Sequence, residues 1–239
     1  QFNTFPSSLK AFYPRGGGDD VTSNANNLTM TGSPTVGGVA GPISGSLATD
    51  YNGTTQYGEA TASVPTATPL FIGVSMRPDV VSRIQDQASI YSSTAVTSNQ
   101  HLWSANINAS GVARASTADG TAFTSATAGT ATASTWGSLG AGFASATSRV
   151  AYWNGTAGSA ETTSRTPSGT DRIAVAWRGS PSSGGNVNFD GRIAFARFFT
   201  ADVGATWESY WHSMLADPDQ SDFYNGWTYA SLSSTIVPL

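Results

Sequence analysis

Carboxylates and histidines are sparse in this chain of 239 residues, and their spacing limits the chemistry it can perform. There are three glutamates, Glu59, Glu161 and Glu208, and two histidines, His101 and His212. Retaining glycoside hydrolysis needs two carboxyl groups about 5 to 5.5 Å apart, one with a raised pKa so that it can act as the acid. On a strand that requires a partner at i+2 or i+4, and no glutamate here has one. With two histidines and no cysteine, neither a nucleophilic triad nor a zinc site assembles. The expected catalytic residues are therefore none, and binding chemistry becomes the stronger reading.

Two kinds of binding residue stand out. Trp153-Asn154, Trp103 and Trp177-Arg178 lie near the ends of predicted strands, where an indole can stack on a sugar face and the neighbouring amide or guanidinium can bond its hydroxyls. Competing with that role is the ordinary one, in which a large aromatic fills a core. Asp19 and Asp20 in a glycine-rich loop, Asp50, Asp119 and Asp190 offer hard oxygen ligands, which makes calcium the candidate cofactor. Each aspartate could instead cap its own turn, a role that suits Asp119-Gly120 and Asp190-Gly191 well.

The elements that must position these residues are strands. SRVAYWNG (148–155) alternates Val150 and Tyr152 against Ala151 and Trp153, and Asn154-Gly155 supplies a type I′ turn. PLFIGVSMRPD (69–79) alternates Leu70, Ile72, Val74 and Met76 against Phe71, Gly73, Ser75 and Arg77. DRIAVAWRG (171–179) sets Ile173, Val175 and Trp177 on one face, and NFDGRIAFARFF (188–199) opens with a turn at Asp190-Gly191 and sets Ile193 and Phe195 against Ala194, Ala196 and Phe198. Short strands are also expected over 28–30 and 49–51. The Thr-Ala-rich stretch 115–148 reads as strands with a thin, small-residue face rather than a linker. A helical period appears once, with Trp207, Tyr210, Trp211, Met214 and Leu215 in a stripe, Thr206 at the N-cap and Pro218 beyond the end.

Composition agrees with one β domain. Charged residues make up 11% of the chain, well below the usual quarter or so, and the net charge is −4. Ten arginines and Lys10 are scattered singly, which excludes the basic stripe of a nucleic-acid binder. No apolar run is long enough to cross a bilayer as a helix. The expected organisation is an amino-terminal arm over 1–19, a domain over 20–218 and an aromatic, apolar tail over 219–239. In that tail Phe223, Tyr224, Trp227 and Tyr229 call for a partner surface, either another protein or a second copy of the chain, and point to a homo-oligomer or a larger assembly.

DYNGTTQY, PLFIGVSMRPD, SRVAYWNG, NFDGRIAFARFF and WESYWHSMLADP, in that order, resemble the laminin-G-like, concanavalin A-like lectin/glucanase domains. The resemblance implies an all-β, antiparallel two-sheet jelly roll with one short carboxy-terminal helix, and a face or rim loops open to ligands. FASATSRVAYWNG and TPSGTDRIAV resemble the versions found in bacteriophage and prophage virion proteins, which implies a non-catalytic protein on a virion surface, on head or tail, with a glycan as a further partner. A carbohydrate-binding module or adhesin of a bacterial surface is the alternative, extracellular in location. The glucanase relatives' E-x-D-x-x-E pattern is absent here. Lyases of this fold use Arg, Gln, His and Tyr, but Gln100 and His101 are adjacent and so would face opposite sides of a strand.

Overall fold

The computed structural model describes residues 7–43, 45–94, 101–178 and 187–204. Regular structure in them is strand: β1 (Leu9–Tyr13), β2 (Thr29–Thr31), β3 (Val39–Ala40), β4 (Leu47–Asn52), β5 (Tyr57–Ala60), β6 (Leu70–Pro78), β7 (Gln85–Tyr91) and β8 (His101–Ile107). The order continues with β9 (Val112–Asp119), β10 (Phe123–Thr130), β11 (Gly137–Ser145), β12 (Ser148–Trp153), β13 (Thr156–Ala157), β14 (Arg172–Val175) and β15 (Asp190–Phe199). The expected helix over 206–215 and the tail over 219–239 lie outside the described residues.

The strands form an antiparallel two-sheet sandwich. One sheet runs β13-β12-β11-β6-β15-β4-β3, with β1 also on β15, and the other runs β10-β9-β8-β7-β14-β5-β2. Between them lies a core in which Leu70, Ile72, Val74, Met76, Leu139 and Phe143 meet Ile90, Trp103, Ile107, Ile173 and Val175. Alanines 105, 113, 115, 126, 141 and 151 fill the gaps, as close packing of large against small requires. The Thr-Ala stretch is therefore structural: Ala115, Ala126 and Ala141 face inward in β9, β10 and β11.

Local expectations hold where alternation is uninterrupted. In β12, Ala151 and Trp153 belong to the inner core while Val150 and Tyr152 join Phe71, Phe195 and Phe199 on the other face. Asn154 and Gly155, with φ of 49° and 77°, turn the chain from β12 into β13.

Three local irregularities overturn expectations. Asp190-Gly191 is not a turn, because both residues begin β15, and Gly191 pairs with Tyr51 on one side and Pro78 on the other. Its φ of 137° and the Arg77 carbonyl, which any Cβ would strike, explain the glycine through close approach. A bulge between Ile193 and Phe195 sends Ile193, Ala196 and Phe198 inward and Ala194 and Phe195 outward. Finally, Trp177 does not follow Ile173 and Val175 inward: Ala176, at φ 65°, itself stays in the core and rotates the chain, so Trp177 emerges on the outer face. That last irregularity builds part of the site.

Candidate functional site

The outer face of the seven-stranded sheet carries three cross-strand rows set by register. The middle row is hydroxyl-bearing: Ser89 of β7 lies opposite Ser104 of β8, which lies opposite Ser116 of β9, which lies opposite Ser125 of β10. On one side runs an apolar row of Tyr91, Leu102, Ala118 and Phe123. On the other runs a charged and amide row of Asp86, Asn106, Arg114 and Thr127. Alternation makes this possible, since residues two apart on each strand share a face.

The rows are tied by hydrogen bonds. Asn106 Nδ2 donates to Ser104 Oγ at 2.8 Å and Ser116 Oγ at 2.7 Å, and Ser116 and Ser125 hydroxyls lie 2.8 Å apart. With its amide group so oriented, Asn106 Oδ1 accepts from Arg114 Nε at 2.8 Å. Arg178 reaches Asp86 through Nε and Nη2, each 2.8 Å from Oδ2. Asp86 is fully buried and its Oδ1 has no hydrogen-bond partner. Both guanidiniums lie over the Phe123 ring, at 5.7 Å for Arg114 and 5.4 Å for Arg178. Because Arg114 starts in the charged row and Phe123 in the apolar one, its side chain crosses the serine row and covers it. Burial pushes the Arg114 guanidinium below its ordinary pKa, Asp86 opposes that, and Arg178 adds to it.

Trp177 closes the other end. Its carbonyl accepts from Ser89 Oγ at 2.8 Å, and its ring lies 4.2 Å from Tyr57 and 5.7 Å, edge-on, from Tyr91. Tyr91 in turn donates its hydroxyl to Glu59. Burial raises the Glu59 carboxyl above its usual range, with Arg172 lowering it and Asp171 raising it in smaller measure. Ser89, Ser104, Ser116 and Asn106 are fully buried beneath this layer of rings and guanidiniums, and the part-exposed groups above them are Arg114, Arg178 and Ser125 with the Phe123 and Trp177 rings. Such an arrangement suits a polyhydroxylated ligand.

The structure separates the residues expected to bind sugar. Trp177 and Arg178 meet on this face. Trp103 does not reach a surface: it is 2% exposed and fills the core between the sheets. Trp153 is half-buried, packed on the core from the other sheet with Gly129 and Gly137 against its ring. Asn154 spends its Oδ1 on the Ser138 amide and its backbone on the turn.

The calcium candidates are dispersed. Asp20 is buried, with its carboxylate accepting from the amides of Phe12, Thr22 and Asn26 and from the Thr22 hydroxyl, so it ties β1 to the following loop. Asp119 caps the β9–β10 turn through Thr121 and Ala122. Burial pushes its carboxyl up, but those bonds and Arg165 outweigh it and hold the pKa at about 2. Asp50 lies 3.8 Å from Arg192, and Asp19 is exposed. Asp190 pairs with Arg83 at 3.1 Å. Among the described residues, no three histidine or carboxylate side chains gather as a metal site would need. His101 Nδ1 accepts from the Ser168 amide at 3.0 Å, while Gln100, Phe223, Tyr224, Trp227 and Tyr229 lie outside the described residues.

Sequence reasoning missed Asp86, Asn106, Arg114, Phe123 and the four serines. One signal was present: Ser104, Ser116 and Ser125 each sit two positions from an apolar residue (Leu102, Ala118, Phe123) on one side and two from a polar one (Asn106, Arg114, Thr127) on the other. Only register turns that pattern into a row.

No protein-family model matches the sequence, and no curated protein matches it. Solved structures do match in three dimensions. Domain 4 of AbnA, a GH43 extracellular arabinanase from Geobacillus stearothermophilus solved with arabinotriose, has a TM-score of 0.65 at 14% identity, covering 88% of this chain and 98% of that one. The binding domain of Paraclostridial Mosquitocidal Protein 1 gives 0.63 at 12% identity, covering 86% of this chain and 52% of that one. The CBM40 of the Ruminococcus gnavus IT-sialidase, bound to α2,3 sialyllactose, gives 0.51 at 11% identity, covering 62% and 84%. At these identities the likeness shows the fold, a β-sandwich of the jelly-roll kind.

Proposed function

We propose that this domain is a non-catalytic glycan-binding β-sandwich, and that it takes its ligand on the outer face of the seven-stranded sheet. One observation carries the reading: part-exposed Arg114, Arg178 and Ser125 stand beside the part-exposed Phe123 and Trp177 rings, held in place by the buried serine row beneath them. Sugars present hydroxyl edges and apolar faces, and this surface supplies partners for both. Support comes also from the matched folds, one solved with arabinotriose and another with sialyllactose.

The non-catalytic part of the reading is supported by the roles that the two buried or part-buried acids of this face already have. Glu59 serves the Tyr91 hydroxyl, and Asp86 holds Arg178. An extracellular or surface location follows from a glycan target. A place on a virion surface, beside other virion proteins, is the finer form of the reading, and the phrases 143–155 and 166–175 are what support it.

A glycan array with the intact chain, Trp177→Ala and Trp153→Ala tests the proposal. Binding that survives Trp153→Ala and is lost with Trp177→Ala is expected. Loss with Trp153→Ala alone would move the site to the β12–β13 turn and overturn it.

A further inference from the structure

Around Phe123 the charges do not balance locally, with two guanidiniums against one carboxylate, and that imbalance specifies a ligand. Arg77, Arg83, Arg165, Arg172, Arg178 and Arg192 each have an aspartate within 4 Å. Arg114 has none. Asp86, the acid that influences it, is already engaged by two nitrogens of Arg178. Two guanidiniums and one carboxylate thus share a small surface, which leaves one positive charge over.

Arg114 is also held in place. The hydroxyls of Ser104 and Ser116 accept from Asn106, which orients its oxygen toward Arg114 Nε, and the Phe123 ring supports the plane of the guanidinium. Its Nη2 is buried without a hydrogen-bond partner. A guanidinium anchored through Nε, with a terminal nitrogen still unbonded, is preorganised to bond an oxyanion. A neutral sugar would leave that charge uncompensated in a partly desolvated setting.

We infer that the ligand is an acidic glycan, whose carboxylate or sulfate is received by Arg114 beside the Arg178–Asp86 pair. The inference rests on the reading of this face as the glycan site. The extra charge draws the anionic group, Ser125 and Arg178 meet hydroxyls, and Trp177 and Phe123 border the ring.

The test titrates the full chain with 3′-sialyllactose and trigalacturonate as carboxylates and galactose 6-sulfate as the sulfate. Lactose and arabinotriose serve as neutral controls, and each titration is run at low and high salt. At least one anionic sugar is expected to bind roughly tenfold or more tighter than both neutral ones, and less tightly as salt rises. Arg114→Gln should weaken anionic binding roughly ten- to hundredfold and any neutral binding by a much smaller factor, with Arg114→Lys between the parent and Arg114→Gln because the charge remains but the fork is lost. Should Arg114→Gln fail to fold, Arg114→Lys and the salt dependence carry the same test. Neutral sugars bound as tightly as acidic ones, with Trp177→Ala abolishing binding and Arg114→Gln or Arg114→Lys indifferent, would overturn the acidic class and leave the site standing. No sugar binding, or binding indifferent to Trp177→Ala and to both arginine variants, would overturn the site and this inference together.

Discussion

Removing the Asp86 carboxylate should be among the most damaging single changes on the sheet. Asp86 is fully buried, its partner Arg178 has a side chain 12% exposed, and both nitrogens facing it lie at 2.8 Å. Asp86→Ala leaves Arg178 and the neighbouring Arg114 as two partly buried cations with no anion between them. Breaking a buried pair in this way costs about 3 to 5 kcal/mol, against a total domain stability of about 5 to 15 kcal/mol. With a urea slope of about 2.5 kcal/mol/M, the denaturation midpoint should fall by roughly 1.5 M. Adding Arg178→Met removes the stranded charge and keeps a side chain able to pack on Phe123, so the double variant should regain about 2 kcal/mol of that loss. Urea unfolding followed by circular dichroism measures all three. A loss below about 1 kcal/mol for Asp86→Ala, or a double variant whose loss equals the two single losses added, would refute the reasoning.

Three further outcomes follow from local geometry. Ala176→Val should destabilise by about 2 to 3 kcal/mol, because a β-branched residue resists the left-handed conformation that Ala176 holds at φ 65°. Ala176→Gly should stay within about 1 kcal/mol of the parent, as relief of strain offsets the lost buried methyl, and urea unfolding reads both. Gly191→Ala should cost about 3 kcal/mol in the same assay, since its Cβ would meet the Arg77 carbonyl between two paired strands. For Asp119 the native pKa lies below the unfolded value, so its stabilisation is full above an unfolded pKa of about 4 and is lost as pH falls toward about 2. Asp119→Asn should flatten that part of the acid-unfolding curve, seen by thermal melts across the pH range.

Much of the scaffold was legible because it rests on local alternation. In β6, Leu70, Ile72, Val74 and Met76 announce a core face, and the structure puts all four at the centre. Asn154-Gly155 carries its turn in two residues. Of the face proposed as the site, only Trp177 and Arg178 were singled out by the sequence. Trp177 reaches its face through a left-handed alanine, and nothing in the residue type signals that conformation. The serine row depends on the register of four strands, including a bulge between Asp86 and Ala88 that no turn signal marks. Trp103 and Trp177 carried the same sequence signal, a tryptophan near a predicted strand end, and came to opposite sides of one sheet. Asp190-Gly191 looked like a turn because glycine serves close backbone approach as well as positive φ.

The most direct test is a backbone-amide and indole NMR titration of the chain with the tightest-binding sugar from the array. The largest shifts are expected at Ser104, Asn106, Arg114, Ser116, Ser125 and the Trp177 indole, across strands β8 to β10 and the end of β14. Shifts confined to Trp153 and the β12–β13 turn, or to the eight-stranded sheet, would contradict the account.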